Sequence, residues 1–112
     1  MKLSQVREIL DAKVLTGEEF LDKEVNSACG CDLMSDVLAF VKDKAILLTG
    51  LMNLQVIRTA EMMDIETIIF VRGKVPDESI IGMAKMKDMT IMSTEHPLFV
   101  ASGMLYSEGL HK

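Results

Sequence analysis

Two short runs constrain this chain more than anything else in it: Ala45 to Thr49 (Ala-Ile-Leu-Leu-Thr) and Thr67 to Val71 (Thr-Ile-Ile-Phe-Val). Each is apolar at successive rather than alternate positions. In extended form such a run is apolar on both faces, the pattern of a parallel strand covered by helices on either side. Each run ends at a glycine, Gly50 in one case and the Arg72-Gly73 pair in the other. Between them Asn53 is placed to cap a helix with Val56, Ile57, Ala60 and Met63 on one face. Strand, helix, strand over this length implies parallel pairing through a right-handed crossover.

The alternation extends in both directions. Ser4 to Asp11 reads as a short helix with Ser4 as N-cap and Val6, Ile9 and Leu10 on its apolar face. Lys13 to Leu15 and Glu24 to Cys31 read as strands. Asp32 is placed to cap a helix with Leu33, Val37, Phe40 and Val41 inward. Beyond Val75-Pro76-Asp77 the spacing predicts a helix with Ile80, Ile81 and Ala84 inward, then a strand from Met89 to Met92. Thr94 is placed to cap a last helix with Pro97 in its first turn, where its missing N–H costs little. The expectation is an α/β fold: one compact domain over 1–112, with a mainly parallel sheet flanked by helices.

Composition bounds what such a domain does. A chain of 112 residues buries roughly two-thirds of its unfolded surface and needs no staples. Lys and Arg number 12 against 17 Asp and Glu, without a basic stripe, which argues against nucleic acid as a partner. No apolar run approaches the ~20 residues of a membrane span. The opening Met-Lys-Leu-Ser-Gln-Val-Arg-Glu puts charges where a signal peptide is apolar, so a cytoplasmic location is expected. Aromatic residues are 4% and methionines ten, so the core is aliphatic and the methionines are expected mostly inside it. Mean hydropathy is positive for so small a chain, which favours apolar surface covered by a second copy, a homodimer.

Candidate chemistry is sparse. Cys29-Gly30-Cys31 has too short a spacer for a zinc pair, and only His96 and His111 remain as soft ligands, so no metal is expected. On a strand the two cysteines point the same way, which disfavours a disulfide between them and leaves reduced structural thiols. Gly50 and Gly73 lie at the carboxyl edge of the sheet, where open α/β sheets hold ligands, and Arg72 and Lys74 flank Gly73 with positive charge. Neither a G-x-G-x-x-G nor a P-loop signature is present, so no cofactor is expected. Thr94-Glu95-His96 offers a donor, a carboxylate and an imidazole without a nucleophile motif, so no catalytic residue is assigned. The candidate ligand contacts are Gly50, Asn53, Arg72, Gly73, Lys74, Thr94 and His96.

Four segments taken together resemble the DRTGG domain family across nearly the whole chain: 25–38, 46–50, 68–76 and 92–103, the last reading Met-Ser-Thr-Glu-His-Pro-Leu-Phe-Val-Ala-Ser-Gly. The resemblance implies a fold similar to the N-terminal domain of HPr kinase. It also implies a regulatory or assembly role, such domains occurring beside CBS domains in some family II inorganic pyrophosphatases, in phosphate acetyltransferases and as stand-alone proteins. The chain departs from the motif that names the family. Leu51 and Met52 follow Gly50 where the family has an Asp-Arg pair, and Arg72-Gly73 stands where it has Thr-Gly-Gly. The expected function is a non-catalytic regulatory module, homodimeric and acting through a protein partner. The alternative is a sensor that binds an anion or nucleotide through backbone N–H groups, Arg72 and Lys74 around Gly50 and Gly73.

Overall fold

The computed structural model describes residues 1–40 and 42–111. Helix α1 (Leu3–Leu10), strand β1 (Lys13–Thr16) and a 3-10 turn (Glu18–Phe20) precede the alternating part. That part runs β2 (Ser27–Gly30), α2 (Met34–Phe40), β3 (Ala45–Thr49), α3 (Leu54–Met62), β4 (Thr67–Phe70), α4 (Glu78–Met86), β5 (Thr90–Ser93) and α5 (Leu98–Ser107). The strands form one sheet in the order β1-β5-β4-β3-β2, with β2 to β5 parallel and β1 antiparallel beside β5. The mainly parallel α/β domain expected from the alternation is the one found.

Strand periodicity divides the core in two. Leu47, Ile68, Phe70 and Ile91 point to one face and pack against α2, α3 and α4. Ile46, Leu48, Ile69, Val71 and Met92 point to the other and pack against α1 and α5. All three crossover helices therefore lie on one face while the parallel strands are added in one direction. After β5 the chain changes face, and α5 joins α1 on the opposite side.

Helix boundaries depart from the sequence reading in informative ways. Ser4 lies inside α1; the N-cap is Lys2, whose N–H donates to Gln5 Oε1 at 2.8 Å. Leu33 is 58% exposed and Met34 takes its place inside with Val37, because Asp32 is held elsewhere and α2 starts later. Phe40's side chain and Val41, expected on that buried face, lie outside the described residues. Asn53 caps α3, accepting from Val56 N at 3.3 Å, and Asp77 caps α4, accepting from Ile80 N at 3.2 Å. Of the ten methionines, Met34, Met89 and Met92 are buried, Met1, Met63, Met83 and Met104 pack against the core, and Met52, Met62 and Met86 face solvent.

Three helices stop in the same unusual way, with an aspartate in the left-handed region after α1, α3 and α4: Asp11, Asp64 and Asp88, with φ 48°, 56° and 55°. After α3, Ile65 N reaches back to Ala60 O (2.8 Å) and Asp64 N to Glu61 O (3.2 Å); after α4, Met89 N reaches Ala84 O (3.0 Å) and Asp88 N reaches Lys85 O (3.2 Å). This double bond is the Schellman closure, which glycine usually occupies. Asp88 bears both the left-handed strain and a negative charge at the negative end of a helix. Asp88→Gly is expected to stabilise the domain by about 0.5–1 kcal/mol, read as a higher urea midpoint at unchanged slope; a lower midpoint would contradict this account of the helix stop.

Candidate functional site

The carboxyl ends of the four parallel strands converge on one edge of the sheet. From β2 comes Asp32, whose Oδ1 accepts from Thr49 Oγ1 and from Gly50 N, both at 2.8 Å. Thr49 Oγ1 in turn accepts from Leu51 N at 3.1 Å. These bonds fasten the end of β2 to the end of β3, and they are why Asp32 does not cap α2.

After β4 the chain turns back sharply. Arg72 and Gly73 have φ of 58° and 67°, positive at both central residues of a turn closed by Lys74 N to Val71 O at 3.2 Å. Glycine meets this at little cost and arginine does not, so the backbone is strained at the residue that brings a guanidinium to the edge. Arg72 Nη2 and Lys74 Nζ lie 3.0 Å and 3.6 Å from where a side chain at position 50 would begin, and Lys74 Nζ donates to Gly50 O at 2.9 Å. Gly50 is therefore the floor on which the two cations meet. A side chain at Gly73 would collide with Glu95, whose Oε2 is 2.6 Å from the Cβ position.

The edge is locally balanced in charge: Arg72 and Lys74 against Asp32 and Glu95. The Gly50 N–H and the Thr49 hydroxyl hold the Asp32 carboxyl below the usual aspartate value; partial burial opposes this, and Arg72 and Lys74 add to the lowering. The backbone N–H groups expected to meet an anion already have acceptors. Gly50 N donates to Asp32, Arg72 N to His96 O at 2.9 Å, and Gly73 N to Thr94 O at 2.8 Å. What this edge offers a ligand is side chains.

The structure gathers Gly50, Arg72, Gly73 and Lys74 with the backbones of Thr94 and His96, and engages the side chains of two candidates elsewhere. Asn53 is occupied in capping α3. Thr94 is buried and its Oγ1 donates to Leu10 O at 2.7 Å, tying β5 to the end of α1; the position it was expected to cap is taken by Pro97, whose carbonyl accepts from Ala101 N at 2.9 Å. Asp32 and Glu95 complete the edge. Asp32 was hidden because an aspartate ahead of a helical pattern reads as a cap; its position just past a parallel strand was the signal. Cys29 and Cys31 pack against the same core layer, as their spacing requires. Burial, then the neighbouring Cys31 and Asp36, push the Cys29 thiol up, away from thiolate reactivity. Among the described residues no group of three or more His, Cys, Asp or Glu is placed to hold a metal ion, and no helix is long and apolar enough to cross a membrane.

A single sheet with helices on both faces and a charged edge at its strand ends defines a small α/β domain. The chain belongs to the DRTGG domain family, whose model matches residues 5–107. Among solved structures it is similar to the CBS and DRTGG domains of the regulatory region of Clostridium perfringens pyrophosphatase, solved in complex with an activator, diadenosine tetraphosphate. The TM-score is 0.73 at 21% identity, over 93% of this chain and 45% of that one, so the chain spans less than half of that structure. No curated protein matches the chain.

A carboxylate held charged by the fold supports stability above its unfolded pKa, about 3.9 for aspartate. That support is lost as pH falls through the lower folded value. The wild type is expected to be more stable than Asp32→Asn at pH 6, the difference closing in acid below about pH 4. Equilibrium denaturation across this range measures it; a difference independent of pH would remove the carboxylate as its source.

Proposed function

We propose that this chain is a non-catalytic regulatory module that pairs with a second copy through α5 and passes its state to a protein partner. The observation that carries the pairing is the composition of α5. Leu98 to Ser107 contains no charged residue, and Ala101 and Leu105 already fill its inward side. Phe99 is nonetheless 89% exposed, Tyr106 65% and Val100 40%. A helix apolar all round belongs in a covered position.

The exposed face also carries both halves of a fit. Beside Phe99 lies a cavity of about 520 Å³ bordered by Ile9, Gly103, Met104 and Ser107, and nothing stands within 4 Å of where a Gly103 side chain would begin. A two-fold interface needs one patch to hold knob and hole together, and Phe99 with the Gly103 hollow does so. A mid-helix glycine costs about 1 kcal/mol against alanine, a cost that close approach of a partner helix explains. Sedimentation equilibrium at micromolar concentration is expected to find a dimer. Phe99→Glu and Gly103→Leu should both yield folded monomers; a monomeric wild type would overturn the pairing.

A second reading rests on Arg72 and Lys74 meeting over Gly50. Two cations above a glycine suit a polyanionic ligand held by side chains, with Gly73 and His96 bordering it, and the similar regulatory region was solved with a polyphosphate activator. Diadenosine tetraphosphate or ATP is expected to raise Tm by several degrees through binding the native state alone. The rise should vanish in Arg72→Ala; an equal rise in that variant would place binding elsewhere.

A further inference from the structure

The opposite edge of the sheet, at the amino ends of β2, β3 and β4, contains a cavity of about 210 Å³ that the proposed function does not use. Its floor is apolar: Leu3, Val25 and Ala45 are each no more than 5% exposed. Thr67, 2% exposed, supplies the one hydroxyl among these floor residues. Among the described residues no side-chain oxygen or nitrogen sealed from solvent is left unpartnered. Thr67 is one of the residues that line this cavity.

The rim carries both signs of charge. Lys23 and Lys44 supply cations, and Glu24, Asp64 and Glu66 supply carboxylates. Lys23 Nζ and Glu66 Oε2 are joined at 2.6 Å, linking the segment ahead of β2 to the residue ahead of β4. Both side chains are substantially exposed, so the pair contributes little to stability and is readily exchanged for other partners. Glu24 is shared with the N-terminal ammonium at 3.1 Å. The volume corresponds to about seven water molecules, below the range of ~300–1,000 Å³ common for drug-sized ligands. It suits a compact metabolite and not a nucleotide.

We infer that this cavity is a binding site for a small zwitterion of the α-amino-acid type. Its carboxylate takes Lys23 and Lys44, its ammonium takes the Glu66 and Asp64 side of the rim, and its short side chain lies on Leu3, Val25 and Ala45 within reach of the Thr67 hydroxyl. A ligand with one charge alone leaves half of a two-signed rim unmatched, and a long side chain exceeds the volume. The inference is independent of the α5 pairing and of the cationic edge around Gly50.

Amide chemical-shift mapping of the full chain with L-serine, L-alanine and L-valine tests it, with N-acetyl-L-alanine and L-alanine amide as singly charged controls. The expected result is saturable shifts at Leu3, Val25, Ala45 and Thr67 with at least one amino acid and none with the two controls. Lys23→Gln and Thr67→Val should each weaken that binding at least several-fold while leaving the rest of the spectrum in place. Absence of saturable shifts with all three amino acids, or equal shifts with the controls, would overturn the assignment. Saturable shifts confined to residues around Gly50 would overturn it too and place recognition on the opposite edge.

Discussion

Burial of the central strands on both faces is the constraint on which everything else depends. Ile46, Leu47, Leu48, Ile68, Ile69 and Phe70 are each wholly inaccessible to solvent. A run without a polar face cannot sit at the surface of a sheet, and a parallel pair cannot be joined by a tight turn, so helices must cover both sides. That requirement fixes β3 and β4 at the centre, with β2 and β5 flanking them. At about 25 cal/mol per Å² of apolar area, full burial of each of these side chains contributes about 1.5–3 kcal/mol toward the folded state. Groups at the sheet's ends are free to serve other purposes.

The two ends of the sheet solve different problems. At the carboxyl edge, four strand ends leave polar backbone that must be satisfied. The chain meets this internally, with Asp32 bridging to Thr49 and Gly50, Lys74 capping Gly50 O, and the Arg72 turn bonded to the backbone of Thr94 and His96. The result is a rigid floor with two cations above it. Because the chain changes face after β5, the loops after β4 and β5 also border the crevice in which open α/β sheets place ligands. At the amino edge a cavity floored by Leu3, Val25, Ala45 and Thr67 remains.

Much of the fold was legible in the residues. The limits of β3 match the apolar run from Ala45 to Thr49, Asn53 caps α3, and Cys29 and Cys31 share a face. These features depend on periodicity and on contacts a few residues long. Helix stops were less legible, since Asp64 and Asp88 occupy positions where glycine is the recognisable signal. The start of α2 was misplaced for a similar reason. Asp32 has an equally good partner eighteen residues away, at Gly50 N, and no local pattern discloses that competition.

The sequence by itself determined the alternation of strands and helices, the central pair of strands and the aliphatic core, because hydrophobic periodicity acts along the chain. It also placed glycines at the strand ends. Tertiary structure decided which face each helix covers, and therefore that Thr94 serves the end of α1 while Arg72 and Lys74 share the floor at Gly50. It decided as well that Phe99 and the Gly103 hollow lie side by side in the open. Such outcomes depend on pairings between residues distant in sequence, whose free energies appear only when sheet order and helix packing bring them together.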